Sequence, residues 1–177
     1  LINQEFSRST DDPKEKHAMH PTKNDLSAGL RAQVAALLAD RLAELIDLQL
    51  QAKQAHWNVK GPNFIALHEL FDDIAGEVMG FVDDVAERIV ALGGTAEGTL
   101  AAVARRSNLP AYPLEITRGK DHVSALSMSL AAAAKSVRAA IDQADQLGDK
   151  DTADLFTGIS RALDKQLWFV EAHLPAE

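Results

Sequence analysis

Five side chains stand at spacings that suit a metal: His56, His68, Asp72, Asp83 and Glu87. Imidazole nitrogens with carboxylate oxygens make a mixed ligand set. It suits iron, manganese or zinc and disfavours soft metals. Oxygen-rich ligation stabilises Fe(III) over Fe(II) and so drives oxidation of bound iron. The bland alternative is a solvated acidic face, because charged helix faces are common. The segment holding four of the five has seven acids, Glu69, Asp72, Asp73, Glu77, Asp83, Asp84 and Glu87, against one strong base, Arg88.

Spacing separates the two readings. His68 and Asp72 are four apart and share a helix face, as do Asp83 and Glu87. Eleven steps of about 100° bring Asp83 to within roughly 20° of Asp72, so both pairs lie on one stripe. Gly76 and Gly80 lie between them, where each costs about 1 kcal/mol relative to alanine. A purely solvated face has no use for that cost, whereas small residues permit close helix approach. His68 and Asp83 are nevertheless fifteen residues apart, roughly 22 Å along a helix. The pairs cannot meet within one chain. They meet if a second copy packs antiparallel about a two-fold axis near residues 77–78, which gives two identical sites. His56 would join from the preceding helix. Alone it reads as a satisfied core histidine; beside His68 and three carboxylates it becomes a ligand candidate. Trp57 reads as core or interface, and next to a redox metal as a candidate electron donor.

The elements that must position these groups are helical. The chain has 177 residues, 46% of them hydrophobic, and only six prolines. Alanine and leucine dominate, which favours helix. Residues 1–25 are polar and without period, and read as a mobile tail ahead of a single domain, 26–177. A first helix is expected over about 27–59, with the stripe Leu38, Leu42, Leu45, Gln49, Ala52 and His56. A second spans about 63–92 on Leu67, Phe71, Ile74, Val78, Val82, Val85 and Ile89, and Gly93-Gly94 stops it. Residues 93–118 form a long connection with one short helix near 100–105. A third helix covers about 120–147. A fourth runs from Thr152 to His173, with Asp151 as its cap. Four long helices with one long crossover between the second and third predict an all-α, ferritin-like four-helix bundle.

Composition excludes other classes. There is no cysteine, hence no disulfide, zinc-thiolate site or iron–sulfur cluster. A net charge of −8 is the opposite of a general nucleic-acid footprint and attracts cations. Residues 1–26 lack the apolar core of a signal peptide, and no segment reaches the roughly 20 apolar residues of a membrane span. A cytoplasmic protein is the expectation.

Several segments resemble the Dps family, the DNA-binding proteins from starved cells, also called mini-ferritins. They are Gln54-Ala55-His56-Trp57-Asn58-Val59-Lys60-Gly61-Pro62-Asn63-Phe64, then His68-Glu69-Leu70-Phe71-Asp72, Asp83-Asp84-Val85-Ala86-Glu87-Arg88, Asp164-Lys165 and Leu167-Trp168-Phe169. The resemblance covers about residues 27–174. It implies a ferroxidase site with His56, His68 and Asp72 from one subunit and Asp83 and Glu87 from its two-fold mate. It further implies a hollow dodecamer that oxidises Fe(II), often with hydrogen peroxide, and stores ferric mineral. Zinc and manganese are the candidate substitutes for iron. Classical ferritins use Glu-x-x-His within one subunit, and no histidine here has a glutamate three positions before it. One departure is Gly76-Glu77-Val78-Met79-Gly80, less charged than the usual helix centre of the family.

The resemblance also places acidic pores at the junction of the last two helices, where Asp142, Asp145, Asp149, Asp151 and Asp154 cluster. Asp149 and Asp154 are the pore candidates; a solvated turn is the plain alternative. In the tail, His17 and His20 are candidates for an accessory metal site, against the simpler reading of an unstructured segment. Tail charges nearly balance, so any DNA binding is expected to be weak, with avidity from many copies as its only strength. A DNA-compacting nucleoid protein is the alternative function, and a bland helical oligomer the third.

Overall fold

A computed structural model of the chain describes residues 19–174. Five helices follow in order: α1 (Ala28–Asn58), α2 (Phe64–Ala91), the short α3 (Leu100–Arg106), α4 (Gly119–Leu147) and α5 (Lys150–Glu171). α1 packs along α2 and α4 along α5, and α1 also meets α4 and α3. The second and third long helices are joined by the expected crossover, with α3 where the short helix was expected. The backbone thus forms the all-helical bundle that the periodicity demands.

The core follows the apolar stripes. α2 buries Leu67, Phe71, Ile74, Val78, Val85 and Ile89, with Val82 half-buried. In α1 the stripe differs at its end from the sequence-based expectation. Leu48 and Ala55 are buried, whereas Gln49 and His56 are half-buried. Steps of three and four from Leu45 through Leu48, Ala52 and Ala55 keep the seam facing α2 and α4. His56 is thereby left at the rim of the core, where its ring can reach solvent and a ligand.

Polar contacts fix the crossover. Gln51 donates to Asp47 at 3.0 Å and to the Pro110 carbonyl at 3.1 Å. Ser129 of α4 donates to Gln51 at 2.6 Å, and Ser107 donates to Asp47 at 2.5 Å. One network therefore ties α1, α4 and the residues after α3 together, with its buried polar atoms paired as burial requires.

The segment expected as a free tail is held at its C-terminal end. Met19 packs on the core, and the His20 N–H donates to the Gly93 carbonyl at 2.7 Å. Gly93 has φ 88°, and a Cβ there would stand 2.5 Å from the His20 carbonyl oxygen. Only glycine suits both conditions. Buried Arg31 completes the clasp by donating to the Leu26 and Leu92 carbonyls at 3.1 and 2.8 Å. Residues 19–26 thus belong to the folded body; His17 lies outside the described residues.

α5 begins two residues earlier than expected because Asp149, not Asp151, caps it. Its carboxylate accepts from the Thr152 N–H at 3.2 Å and the Thr152 hydroxyl at 2.7 Å. Gly148, with φ 88°, ends α4 and turns the chain into this cap. Asp149 is 3% exposed and receives two bonds from Arg88 of α2, at 2.8 and 2.9 Å. The turn is therefore bolted to α2. Burial pushes the Asp149 carboxyl up, but the Thr152 bonds and the Arg88 guanidinium outweigh it and hold it below the ordinary value of 3.8.

Asp149→Ala strands Arg88 and removes the cap, so it should cost about 3 kcal/mol, read from chemical denaturation at fixed protein concentration. A cost below about 1 kcal/mol would contradict the bolt. A carboxyl depressed by folding stabilises above its unfolded pKa, and that stability is lost as pH falls through the folded value. Wild-type stability should accordingly fall as pH drops below about 3.8. Asp149→Asn should flatten that part of the profile.

Candidate metal centre

α1 ends and α2 begins so that His56 and His68 face one another. Gly61, at φ 123°, allows the sharp reversal between them. The two imidazoles stack with centroids 3.7 Å apart and planes 20° from parallel. Phe64 lies 5.0 Å from His68 on the same turn. His56 Nδ1 lies 2.7 Å from the His68 carbonyl oxygen, and His68 Nδ1 lies 2.9 Å from the His56 carbonyl oxygen. A carbonyl can only accept, so each Nδ1 carries the proton and donates. In the neutral rings both Nε2 atoms then hold the lone pair. Such a bond fixes tautomer and ring angle, as is usual for metal-binding histidines.

Asp72 follows one turn after His68. Lys53 of α1, three residues before His56, donates to it at 2.5 Å, and the same ammonium lies 5.8 Å from the Trp57 ring centre. The Lys53 bond lowers the Asp72 pKa, desolvation opposes it, and the charges of His56, Lys53 and His68 add to the lowering. Asp72 is therefore a carboxylate throughout the neutral range, with an ammonium standing where a cation would bind. Sequence reasoning passed over Lys53, although its three-residue spacing from His56 puts both on one face. The reciprocal carbonyl bonds had no sequence signal, because they depend on the angle of the α1–α2 turn.

Asp83 and Glu87 are exposed on the distant half of α2. α2 is unbroken over 28 residues, so the two ligand pairs remain a long helix apart. Among the described residues, no three His, Asp or Glu side chains stand close enough to hold a metal. The chain stacks His56 on His68, with Asp72 one turn further along α2 and held by Lys53, and leaves Asp83 and Glu87 on the other half of the helix. Around the midpoint, Gly76 and Gly80 are exposed, and a Cβ at either would meet nothing within 4 Å. Trp57, Ile65 and Met79 are 65%, 60% and 54% exposed. Within one chain these small and apolar surfaces are largely open to solvent.

The other candidates fall elsewhere. Asp149 is buried in its bond to Arg88, so its carboxylate is not free to line a channel, whereas Asp154 is exposed on α5. His20 is exposed beside the α2 terminus. No helix among the described residues is long and apolar enough to cross a membrane.

Fold and site together define a ferritin-like protein, and the ferritin-like domain family matches residues 35–176. The DNA protection during starvation protein of Agrobacterium fabrum is 50% identical over 155 residues, covering 88% of this chain and 96% of that one. Among solved structures, Mycobacterium smegmatis Dps superposes with TM-score 0.85 at 35% identity, covering 90% of each chain. DpsC from Streptomyces coelicolor superposes with TM-score 0.87 at 29% identity, covering 94% of this chain and 97% of that one. The chain belongs to the Dps family, the mini-ferritins.

The bare helix centre generates a prediction. Gly80→Leu should raise intrinsic helix propensity by up to about 1 kcal/mol and clash with nothing inside the chain. It should nonetheless block pairing across the proposed two-fold. Gel filtration with light scattering should find smaller species of unchanged helicity. An intact assembly of wild-type size would remove the glycines from the interface.

Proposed function

We propose that this chain is a ferroxidase and iron-storing mini-ferritin whose oxidation sites lie between subunits of a homo-oligomeric cage, a dodecamer as in the resemblance. The observation that carries this is the division of ligands on α2. His56 and His68 are stacked and oriented with Asp72 one turn away, and the further carboxylates that a metal would need lie on the same helix roughly 22 Å off. An antiparallel mate supplies Asp83 and Glu87, and the exposed glycines lie where the two helices would cross.

Iron is the substrate here. The neutral Nε2 atoms and the Asp72 carboxylate hold Fe(II), and Lys53 must swing off Asp72 as the metal enters. That exchange keeps the local charge compensated in both states. Three carboxylates then stabilise the higher charge of Fe(III) more than that of Fe(II), which lowers the potential of the bound pair. With hydrogen peroxide as oxidant, two Fe(II) ions each give one electron and the O–O bond breaks. Two protons complete the water formed. Consuming peroxide without releasing hydroxyl radical is how such a protein protects DNA and the cell. Asp154, with Asp142 and Asp145, is the remaining candidate for an acidic entry path. Manganese or zinc fits the same N/O ligands as a substitute. Cytoplasmic residence, with weak nucleoid association, fits this role.

Complementation tests the shared site. One chain carries His68→Ala with Asp72→Ala; the other carries Asp83→Ala with Glu87→Ala. Each alone should oxidise Fe(II) at near background rate, followed by ferric absorbance with peroxide and with oxygen. Dissociated, mixed equally and reassembled, they should recover about a quarter of wild-type activity, because half the dimers are mixed and each holds one intact site. Recovery of nothing would refute sharing, and full activity in either variant alone would refute these ligands.

A further inference from the structure

Tyr112 is the chain's single tyrosine. It lies half-buried in the crossover and packs against the core. Its hydroxyl stands 2.7 Å from Nδ1 of His122 on α4, and the two rings lie 6.1 Å apart with planes 22° from parallel. His122 is 1% exposed, yet its Nε2 meets no hydrogen-bond partner among the described residues. A buried polar atom left unpaired in a folded chain calls for an explanation. Neither residue belongs to the metal centre described above.

The surroundings assign the protons. The Asn58 and Ile116 carbonyls lie beside the His122 ring and favour its charged form, though neither meets Nε2 at hydrogen-bond geometry. A carbonyl can only accept, so the ring hydrogen belongs on Nε2, and Nδ1 accepts from the Tyr112 hydroxyl. Burial pushes the Tyr112 hydroxyl up. Burial also holds His122 below the ordinary value of 6.5, against the two carbonyls and Asp121. Both groups are therefore neutral in the neutral range: a phenol that keeps its proton, beside a base free to take it. A phenol gives up an electron readily only when its proton leaves too, and a positioned base provides for that. Transfer to Nδ1 makes an imidazolium whose Nε2–H is drawn to the two carbonyls. The atom unpaired in the resting pair thus gains partners in the oxidised one. Asn58 ends α1 two residues after His56, about 3 Å of helix rise, so the pair adjoins the turn that carries His56 and Trp57. The Lys60 N–H donates to the Thr117 carbonyl at 2.8 Å and the Gly119 N–H to the Lys60 carbonyl at 3.2 Å, which fastens the end of the crossover to this turn.

We infer that Tyr112 is a one-electron donor to the oxidant formed at the iron site, with His122 as its proton acceptor. This rests on the ferroxidase reading for the oxidant alone. One Fe(II) gives one electron to hydrogen peroxide, and the O–O bond breaks into hydroxide and a hydroxyl radical. With no second Fe(II) in place, Tyr112 supplies the second electron across the end of α1. The radical becomes hydroxide, and the phenolic proton moves to His122 Nδ1. A neutral phenoxyl then remains beside an imidazolium. Trp57 suits this task less well. It is 65% exposed, and a positive charge on its ring would face the Lys53 ammonium 5.8 Å from the ring centre.

The test uses the full-length assembly in two arms. In the first, protein given less than one Fe(II) per site is mixed with excess hydrogen peroxide and frozen rapidly. Electron paramagnetic resonance should show a neutral tyrosyl radical, which only Tyr112 can give. Tyr112→Phe keeps the packing, and should abolish that signal and raise the yield of spin-trapped hydroxyl radical. In the second arm, metal-free protein meets a photochemical one-electron oxidant. The phenoxyl should form more slowly in D2O than in water, because proton and electron leave together. His122→Asn can still accept the phenol's hydrogen bond but cannot hold its proton. It should slow phenoxyl formation by at least ~10-fold, the loss of a positioned base, whereas a merely structural latch would leave the rate unchanged. Failure of wild type to oxidise Fe(II) would defeat the ferroxidase reading, and the photochemical arm would still decide the pair. No tyrosyl signal in wild type while its oxidant forms, or a rate indifferent both to D2O and to His122→Asn, overturns the proposal.

Discussion

An unbroken α-helix cannot bring together residues fifteen apart, and most of what is distinctive here follows from that. α2 is continuous from Phe64 to Ala91, so its two ligand pairs face the same way but are held far from one another. A ferritin-like bundle can place a metal centre inside one chain by taking ligands from four helices at one level. This chain sets its candidate ligands at two levels of one helix, on the outside of the bundle. Such an arrangement has chemical use only where a second molecule lies across it. Catalysis and assembly then become one problem.

The histidine pair shows how a bundle makes half a site without the metal. Two imidazoles stacked at 3.7 Å would repel if both were protonated. Each Nδ1 proton is given to the other residue's backbone carbonyl. The carbonyls belong to the end of α1 and the first turns of α2, so the bonds also brace the loop reversal. Rigid ring orientation comes from the same contacts that close the turn. Lys53 performs the matching task for charge, since it keeps Asp72 paired at 2.5 Å. On the proposed reading metal entry exchanges one cation for another; in the chain as it stands the exposed carboxylate is held by Lys53.

Much of this was legible in the chain. Apolar stripes gave the long helices and their boundaries to within about two residues, the usual margin for helix ends. The ligand candidates were readable because helical angle and rise are nearly constant quantities. Differences arose where several weak signals competed. Both Asp149 and Asp151 can cap a helix; Arg88, sixty-one residues away in sequence, selects Asp149 by pairing with its carboxylate. Gln49 and His56 fit the α1 stripe as well as Leu48 and Ala55 do until the position of α2 is known. Met19 and His20 look like tail because the groups that hold them, Gly93 and the core, are remote in sequence.

The burial of Asp149 bears on how the acidic turn can work. Five aspartates lie between residues 142 and 154, and repulsion among them would loosen a short loop. Arg88 absorbs one of these charges inside the protein, which anchors the turn to α2 and leaves the others facing outward. Asp142, Asp145, Asp151 and Asp154 are all exposed, and Lys150 pairs with Asp145. Arg88 directly follows Glu87, one of the carboxylates proposed to complete the partner's site. The same helical turn thus points one side chain inward to hold the acidic junction and another outward to solvent, where the proposed mate would meet it. Any change that lets α2 rotate or shift at Arg88 therefore moves Glu87 with it, so the fixing of the acidic turn and the placement of the distant ligand share one mechanical cause.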